Sequence, residues 1–338
     1  MTKIYKLMFM SILIMSTFIS ISSYSWLGMW IGLEMNLLSI IPIIQNKNIL
    51  SSESSIKYFI TQALASTMIM MSIIMMMWKL NLNSNFNMNS NLLMIMNTSL
   101  LLKMGMAPVH FWFPEVLEGL NWNNCMLMLT WQKITPMVLL MYNTKFNMFF
   151  SIIIISGVII SSIMSMNQIS IRKIMAFSSI NHMSWMLAGM MMEKTVWILY
   201  FIIYSVMTMN ICLMLKNIFY LNQLFPTLNM NSSMKMFFML NFMSLSGIPP
   251  FLGFLPKWMV IQTMIENNMF MMAMIMIMFT LVMIYVYMRI TMSTLIMKIN
   301  QSNWTMKVNM KSNKMQFSLM NFISMMSLSL VTIMLNMI

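Results

Sequence analysis

Apolar residues run in long stretches along the whole chain, separated by short clusters of Asn, Ser and Lys. A helix needs about 20 such residues to cross a bilayer. Windows of that length, bounded by polar clusters, predict eleven spans. They fall at about 4–22, 25–45, 57–79, 91–109, 120–143, 147–166, 172–191, 194–216, 235–263, 267–297 and 315–337. The short alternating segments of a membrane β-barrel do not occur. The first stretch, Tyr5 to Ile21, is followed by no small-residue cleavage site and reads as a span. The expected architecture is an all-α polytopic membrane protein. No linker or shift in composition divides it, so residues 1–338 read as one transmembrane domain, with loops at about 46–56, 80–90, 110–119, 217–234 and 298–314.

Composition supports that class and narrows the chemistry. The 338 residues are 60% hydrophobic and 7% charged, too little polar surface for a soluble domain of this size. With eleven spans, the lysines and arginines in the loops and at or near span ends sort twelve to the N-terminal side and three to the other. That asymmetry predicts an inside N-terminus and an outside C-terminus. The +13 net charge then reflects topology and anionic headgroups. No basic face interleaved with aromatics exists, which argues against nucleic acid. The 58 methionines, with abundant Asn, Ile and Lys and no Asp, suggest an AT-rich gene. Its code would read an extra codon as Met, as animal mitochondria do.

Cys125 and Cys212 lie inside spans and read as small buried hydrophobes; two thiols are too few for an iron–sulfur cluster. His110 and His182 leave little from which to build a haem or metal site. There is no Walker A sequence and no GxGxxG after a strand. Energy for any transport must therefore come from an ion gradient or a partner protein.

Against this background the charges inside spans stand out. A charge at the bilayer centre costs about 2.5–3.5 kcal/mol on insertion scales and usually marks an ion or proton pathway. Glu34 lies about mid-depth in the second span, after Gly28 and Gly32, whose spacing permits close helix approach. Lys103 precedes Gly105 and Pro108, and Lys133 precedes Pro136. Lys257 follows Gly247, Pro249, Pro250, Gly253 and Pro256, which make an interrupted helix close to unavoidable. Burial disfavours an ammonium and a nearby carboxylate favours it, so a lysine held between the two can exchange a proton. One acid and several bases at similar depth are the ingredients of a proton relay. The plainer readings are a glutamate that only specifies packing and lysines that snorkel from span ends.

His182, in Ser178-Ser179-Ile180-Asn181-His182, is a structural histidine or a relay group between the lysines. His110 and Glu115 are expected at the inner membrane edge, with Phe111, Trp112 and Phe113 as interfacial anchors. Arg172 and Lys173 read as topology determinants. Arg289 lies in the tenth span.

The strings around these residues carry a resemblance. They are Ser25–Gly28 through Glu34-Met35-Asn36-Leu37, Leu102-Lys103 through Pro108–Pro114, and Thr130-Trp131-Gln132-Lys133. They continue with Arg172–His182 and Gly247–Trp258. Together they resemble the chain 2 family of NADH–ubiquinone oxidoreductase (respiratory complex I), antiporter-like membrane subunits, in the short mitochondrial form of insects. The resemblance implies two inverted repeats of five helices, each with one broken helix, and the loss of three N-terminal helices found in longer relatives. It implies that Glu34 is the channel glutamate and Lys103 its partner in the first broken helix. Lys133 becomes the central relay lysine, and Lys257 the lysine of the second broken helix, facing the outer exit. Glu118-Gly119-Leu120-Asn121-Trp122 departs from the family, whose antiporter members often carry prolines there.

The implied function is proton translocation across the mitochondrial inner membrane, N-terminus in the matrix and C-terminus in the intermembrane space. It would be coupled to NADH oxidation and ubiquinone reduction elsewhere in the assembly. The chain itself would bind no metal, flavin, iron–sulfur cluster, nucleotide or quinone. Its partners would be other membrane-arm subunits and phospholipids, including cardiolipin near the basic matrix loops. Two other readings stand beside this one: a standalone cation/proton antiporter, and a structural membrane subunit. The absence of Asp argues against a sodium site, which needs several oxygen ligands.

Overall fold

The computed structural model describes residues 2–45, 48–82, 90–144, 147–216, 218–224, 232–249 and 251–296. Two compact units divide the chain, Met1–Ile153 and Ile154–Ile338. The first contains helices α1 (Thr2–Ser22), α2 (Trp26–Ile44), α3 (Ile49–Leu82), α4 (Ser90–Met104), α5 (Trp112–Gly119), α6 (Trp122–Leu129) and α7 (Trp131–Met141). Helix α8 (Asn147–Ser165) crosses the division. The second contains α9 (Ile171–Met192), α10 (Lys194–Met214), α11 (Ser232–Ser246), α12 (Phe254–Glu266) and α13 (Phe270–Ile296). No strand occurs among the described residues; one antiparallel bridge joins Ser170 to Tyr220. Six of the described helices are long and apolar enough to cross a membrane. The eleventh predicted span, the 298–314 loop and the C-terminus lie outside the described residues.

In the first unit α1 and α2 form a hairpin closed by Ser23–Ser25, whose last residue caps α2 by accepting from Gly28 N. Gly32 lies so close to Ser20 that an added Cβ would stand 2.7 Å from the serine Cβ. Gly32 thus serves close packing on α1, while Gly28 packs against Ser23 of the turn. Trp30 Nε1 donates to the Ser66 carbonyl at 3.1 Å, fastening α2 to α3. The many hydroxyls in these apolar helices bond back to the carbonyl three residues earlier, as Ser20 does to Thr17 and Ser72 to Ile69. They need no water.

In the second unit α9 is the central helix. Nineteen of its residues are buried, from Ile171 to Met190. A helix buried on every side faces protein rather than lipid, and so can carry Ser178, Ser179, Asn181, His182 and Ser184.

The helices differ from the predicted spans in four places, each with a physical cause. Residues 49–56, expected as loop, are the first turns of α3, which runs 34 residues. Their serines satisfy themselves by back-bonding within the helix. Residues 112–119, also expected as loop, form α5, because Gly119 lets the segment press against Leu50 and Ser54. The 120–143 span is interrupted at Thr130 (φ −115°, ψ −70°), whose hydroxyl bonds back to Met126 at 2.7 Å. Pro136 further weakens that region by withdrawing the helical donor for the Gln132 carbonyl. The 235–263 span splits into α11 and α12 at the Gly247–Gly253 segment, where a break was expected.

That last break needs Gly253 in particular. A Cβ there would collide with the Ser244 carbonyl. Gly253→Ala is therefore expected to destabilise the protein by about 1–3 kcal/mol. Gly189→Ala, whose added Cβ meets side chains of Val260 and Val196 at 3.2 and 3.4 Å, is expected to be near neutral, helix propensity offsetting the crowding. Thermal unfolding in detergent compares the two.

Candidate functional site

Each unit holds a helix that ends at a left-handed glycine, with at least one buried lysine beside that break. In the first, α4 ends in a Schellman motif: Gly105 sits at φ +73°, its N–H bonds Leu102 O and the next N–H bonds Leu101 O, both at 3.1 Å. The helix thus stops one residue after Lys103, whose carbonyl is taken at 3.1 Å by the Gln62 amide of α3. Lys103 is 8% exposed. Glu34 of α2 is within electrostatic reach of it, without a direct hydrogen bond. One oxygen of that carboxyl, Oε1, is buried with no partner.

Beside them α2 and α7 are joined by a reciprocal amide pair. Asn36 Nδ2 donates to Gln132 Oε1 at 3.1 Å, and Gln132 Nε2 donates to Asn36 Oδ1 at 2.9 Å. The Tyr58 hydroxyl reaches the same Gln132 oxygen at 3.4 Å. A small cavity opens among Asn36, Tyr58, Gln62, Lys103, Gln132 and Thr135. It leaves about 10 Å³ for the centre of a water, close to what one water requires. Lys133, only 2% exposed, points elsewhere: its ammonium lies 5.1 Å from the centre of the Phe113 ring. Phe113 is the residue against which Gly105 packs. The first break, Phe113 and Lys133 are therefore contiguous.

In the second unit the break begins at Gly247 (φ +75°), whose N–H bonds Ser244 O at 3.1 Å. Lys257, on the far side of the break, reaches back and donates to the Ser246 carbonyl at 2.7 Å. A cation at a helix C-terminus is favourable to the helix dipole. Its side chain is 8% exposed, and its ammonium lies 6.0 Å from the Trp185 ring of α9. One turn earlier on α9 is His182, 1% exposed, its Nδ1 2.9 Å from the Tyr200 hydroxyl and its ring 5.2 Å from that of Tyr204. Ser179 and Ser178 stand beside Tyr204 and Tyr287.

A family model described as NADH:quinone oxidoreductase/Mrp antiporter, transmembrane, matches residues 23–284. The chain belongs to that family. It is 50% identical to NADH-ubiquinone oxidoreductase chain 2 of Anopheles gambiae, over 79% of each chain. It is 37% identical to that of Bos taurus, over 78% of each. The fold is similar to a chain of respiratory complex I from Thermus thermophilus, with TM-score 0.84 and 17% identity over 96% of this chain and 77% of that one. A chain of the Mrp complex from Dietzia gives TM-score 0.75 and 15% identity, over 82% and 58%.

Within this family fold, Glu34, Lys103 and Lys133 belong to one unit and His182 and Lys257 to the other. One sequence expectation changes. Trp112 and Phe113 are buried packing residues rather than interfacial anchors; only Phe111 of the three is exposed. Arg172, read as a topology determinant, is buried with its guanidinium 4.5 Å from the Phe219 ring. Glu115 does reach an exposed cation, pairing with Lys57 at 3.0 Å. Asn36, Tyr58, Gln62, Gln132, Thr135 and Tyr200 were not singled out from sequence. The available signal was that Asn36 and Gln132 are amides in apolar spans, next to Glu34 and Lys133.

The amide pair gives a stability test. Removing one partner strands the other, at about 1–3 kcal/mol, whereas removing both leaves neither unsatisfied. Asn36→Leu and Gln132→Leu should each destabilise, and the double variant should fall well short of their sum. A double-mutant cycle on thermal unfolding measures the coupling.

Proposed function

We infer that this chain is a proton-translocating membrane subunit of NADH:ubiquinone oxidoreductase, moving protons through buried Glu and Lys side chains while electron transfer proceeds in other subunits. The observation that carries this reading is the pairing, in each unit, of a helix broken at a left-handed glycine with a buried lysine at the break. Antiporter relatives and complex I relatives share the fold in which that pairing occurs.

In this reading Glu34 and Lys103 form the entry pair: movement or neutralisation of the carboxyl changes how strongly the ammonium is held. Lys133, its ammonium 5.1 Å from the centre of the Phe113 ring, is the central carrier. Lys257 and His182 serve the second unit, Lys257 toward the exit. The chain sits as a multi-pass protein in the mitochondrial inner membrane, N-terminus in the matrix. Its partners are other membrane-arm subunits, and anionic lipids such as cardiolipin near its basic loops. NADH, flavin, iron–sulfur clusters and ubiquinone act elsewhere in the assembly, and this chain supplies no redox group.

The test is substitution within the assembled complex. Lys103→Ala, and in parallel Lys257→Ala, should lower proton pumping and coupled quinone reduction by about tenfold or more with assembly intact on native gels. Glu34→Gln should act in the same direction. Full pumping stoichiometry in the Lys103→Ala complex would overturn the relay and leave these charges as packing determinants.

A further inference from the structure

The two breaks in this chain expose the same kind of group and satisfy it with different donors. A helix that stops in a non-aqueous interior leaves carbonyls that must find donors within the protein. At the second break the donor to the Ser246 carbonyl is the ammonium of Lys257 itself, at 2.7 Å. At the first, the glycine turn takes the carbonyls of Leu101 and Leu102 through the N–H groups of Met106 and Gly105. The next carbonyl, that of Lys103, is taken at 3.1 Å by the side-chain amide of Gln62, from the neighbouring helix α3. Gln62 is 4% exposed, and the relay as described gives it no role.

Its chemistry suits this position. A glutamine amide donates without carrying a charge, so it adds no cost of burying an ion and does not titrate while a proton passes nearby. The neighbouring amides are committed elsewhere. Asn36 and Gln132 bond each other at 2.9 and 3.1 Å, and the Tyr58 hydroxyl, one turn before Gln62 on α3, reaches Gln132 at 3.4 Å. Without the Gln62 donor the Lys103 carbonyl would be left unsatisfied in a buried site. Lys257 shows what else can fill such a place: a lysine ammonium.

We propose that Gln62 is a positioning residue for proton exchange at Lys103: by capping the carbonyl that the break exposes, it keeps the Lys103 ammonium out of helix capping and with Glu34. Gln62 carries no proton in transit; it acts through the backbone of the lysine. The difference between the breaks then has a functional sense. Lys257 exchanges its proton against its hold on a carbonyl. Lys103, relieved of that hold, answers to the carboxyl of Glu34, which is within electrostatic reach. This inference rests on the relay reading above, and the experiment keeps the two apart.

Gln62→Met keeps the length of the side chain and removes the donor. In the assembled complex it is expected to lower proton pumping and coupled quinone reduction about tenfold, the scale of one lost hydrogen bond. The deciding measurement is the same substitution in the Lys103→Ala background, where the carbonyl of residue 103 is still present but the ammonium is not. Gln62→Met should therefore lower thermal stability by a similar amount in both backgrounds, yet leave the residual rate of Lys103→Ala unchanged. A merely structural cap would slow the complex by the same factor in both. Parent-like pumping by Gln62→Met, or a further tenfold loss in the Lys103→Ala background, overturns the positioning role; with Lys103→Ala alone still impaired, the relay itself stands. Should Gln62→Met not assemble, Gln62→Asn, whose amide falls one methylene short of the carbonyl, takes its place under the same criteria. Full pumping by Lys103→Ala removes the relay and the role of Gln62 with it.

Discussion

In hydrocarbon, every backbone N–H and C=O that leaves a helix must find a partner inside the protein. That requirement governs both breaks and determines what surrounds each lysine. At the first, the Schellman bonds of Gly105 and Met106 absorb two carbonyls, and the Gln62 amide absorbs the carbonyl of Lys103. The capping duty falls on neutral groups, so the Lys103 side chain is released from it. At the second, the ammonium of Lys257 is itself the cap on Ser246. The two lysines are therefore not equivalent. One is held by a neighbouring carboxylate and a cavity, the other by the end of a half-helix. Any change in the protonation of Lys257 also changes the electrostatics of the helix terminus it closes.

The same requirement explains where the polar residues are. Hydroxyls on lipid-facing and mixed helices close on their own backbone and present nothing to the membrane. Side chains that must bond elsewhere gather on surfaces covered by protein: Asn36 and Gln132 across the α2–α7 contact, and His182 with Tyr200 on α9 and α10. The amide pair has a further effect. It ties together the two helices that carry Glu34 and Lys133, so that helices bearing two ionisable side chains are joined by groups that do not themselves titrate.

Much of this was visible in the order of residues, because bilayer thickness imposes a length on apolar runs that nothing else in the chain imitates. α1, α2, α8, α9, α10 and α13 lie within about three residues of spans read from hydropathy alone. Gly105 and Gly247 announced the breaks by combining with nearby prolines. The interruption at Thr130 was hidden, since a threonine that bonds back and a proline six residues later are each tolerated in ordinary helices. The partners were hidden for a different reason. Gln62 and Thr135 are unremarkable in sequence, and only the approach of α3 and α7 to the end of α4 gives them a carbonyl or a cavity to face. Trp112 and Phe113 misled because an aromatic run beside a proline has the composition of an interface belt. Its burial follows from Gly105 and Gly119, which let α5 fold back into the unit.

The choice of partners for the central lysines also bears on how a relay can work at all. A carboxylate held in direct contact would keep a lysine charged in so dry a setting, and the proton would be trapped. A ring face attracts an ammonium by about 0.5–2 kcal/mol yet accommodates a neutral amine without stranding a charge. Lys257 near Trp185 has that kind of seat, and Lys133 has the Phe113 ring among its neighbours, while Glu34, kept short of direct contact with Lys103, is the single acid read within a span. In the proposed relay, a lysine with a carboxylate near it but not bonded to it can bind a proton and then release it, which a matched ion pair would not allow.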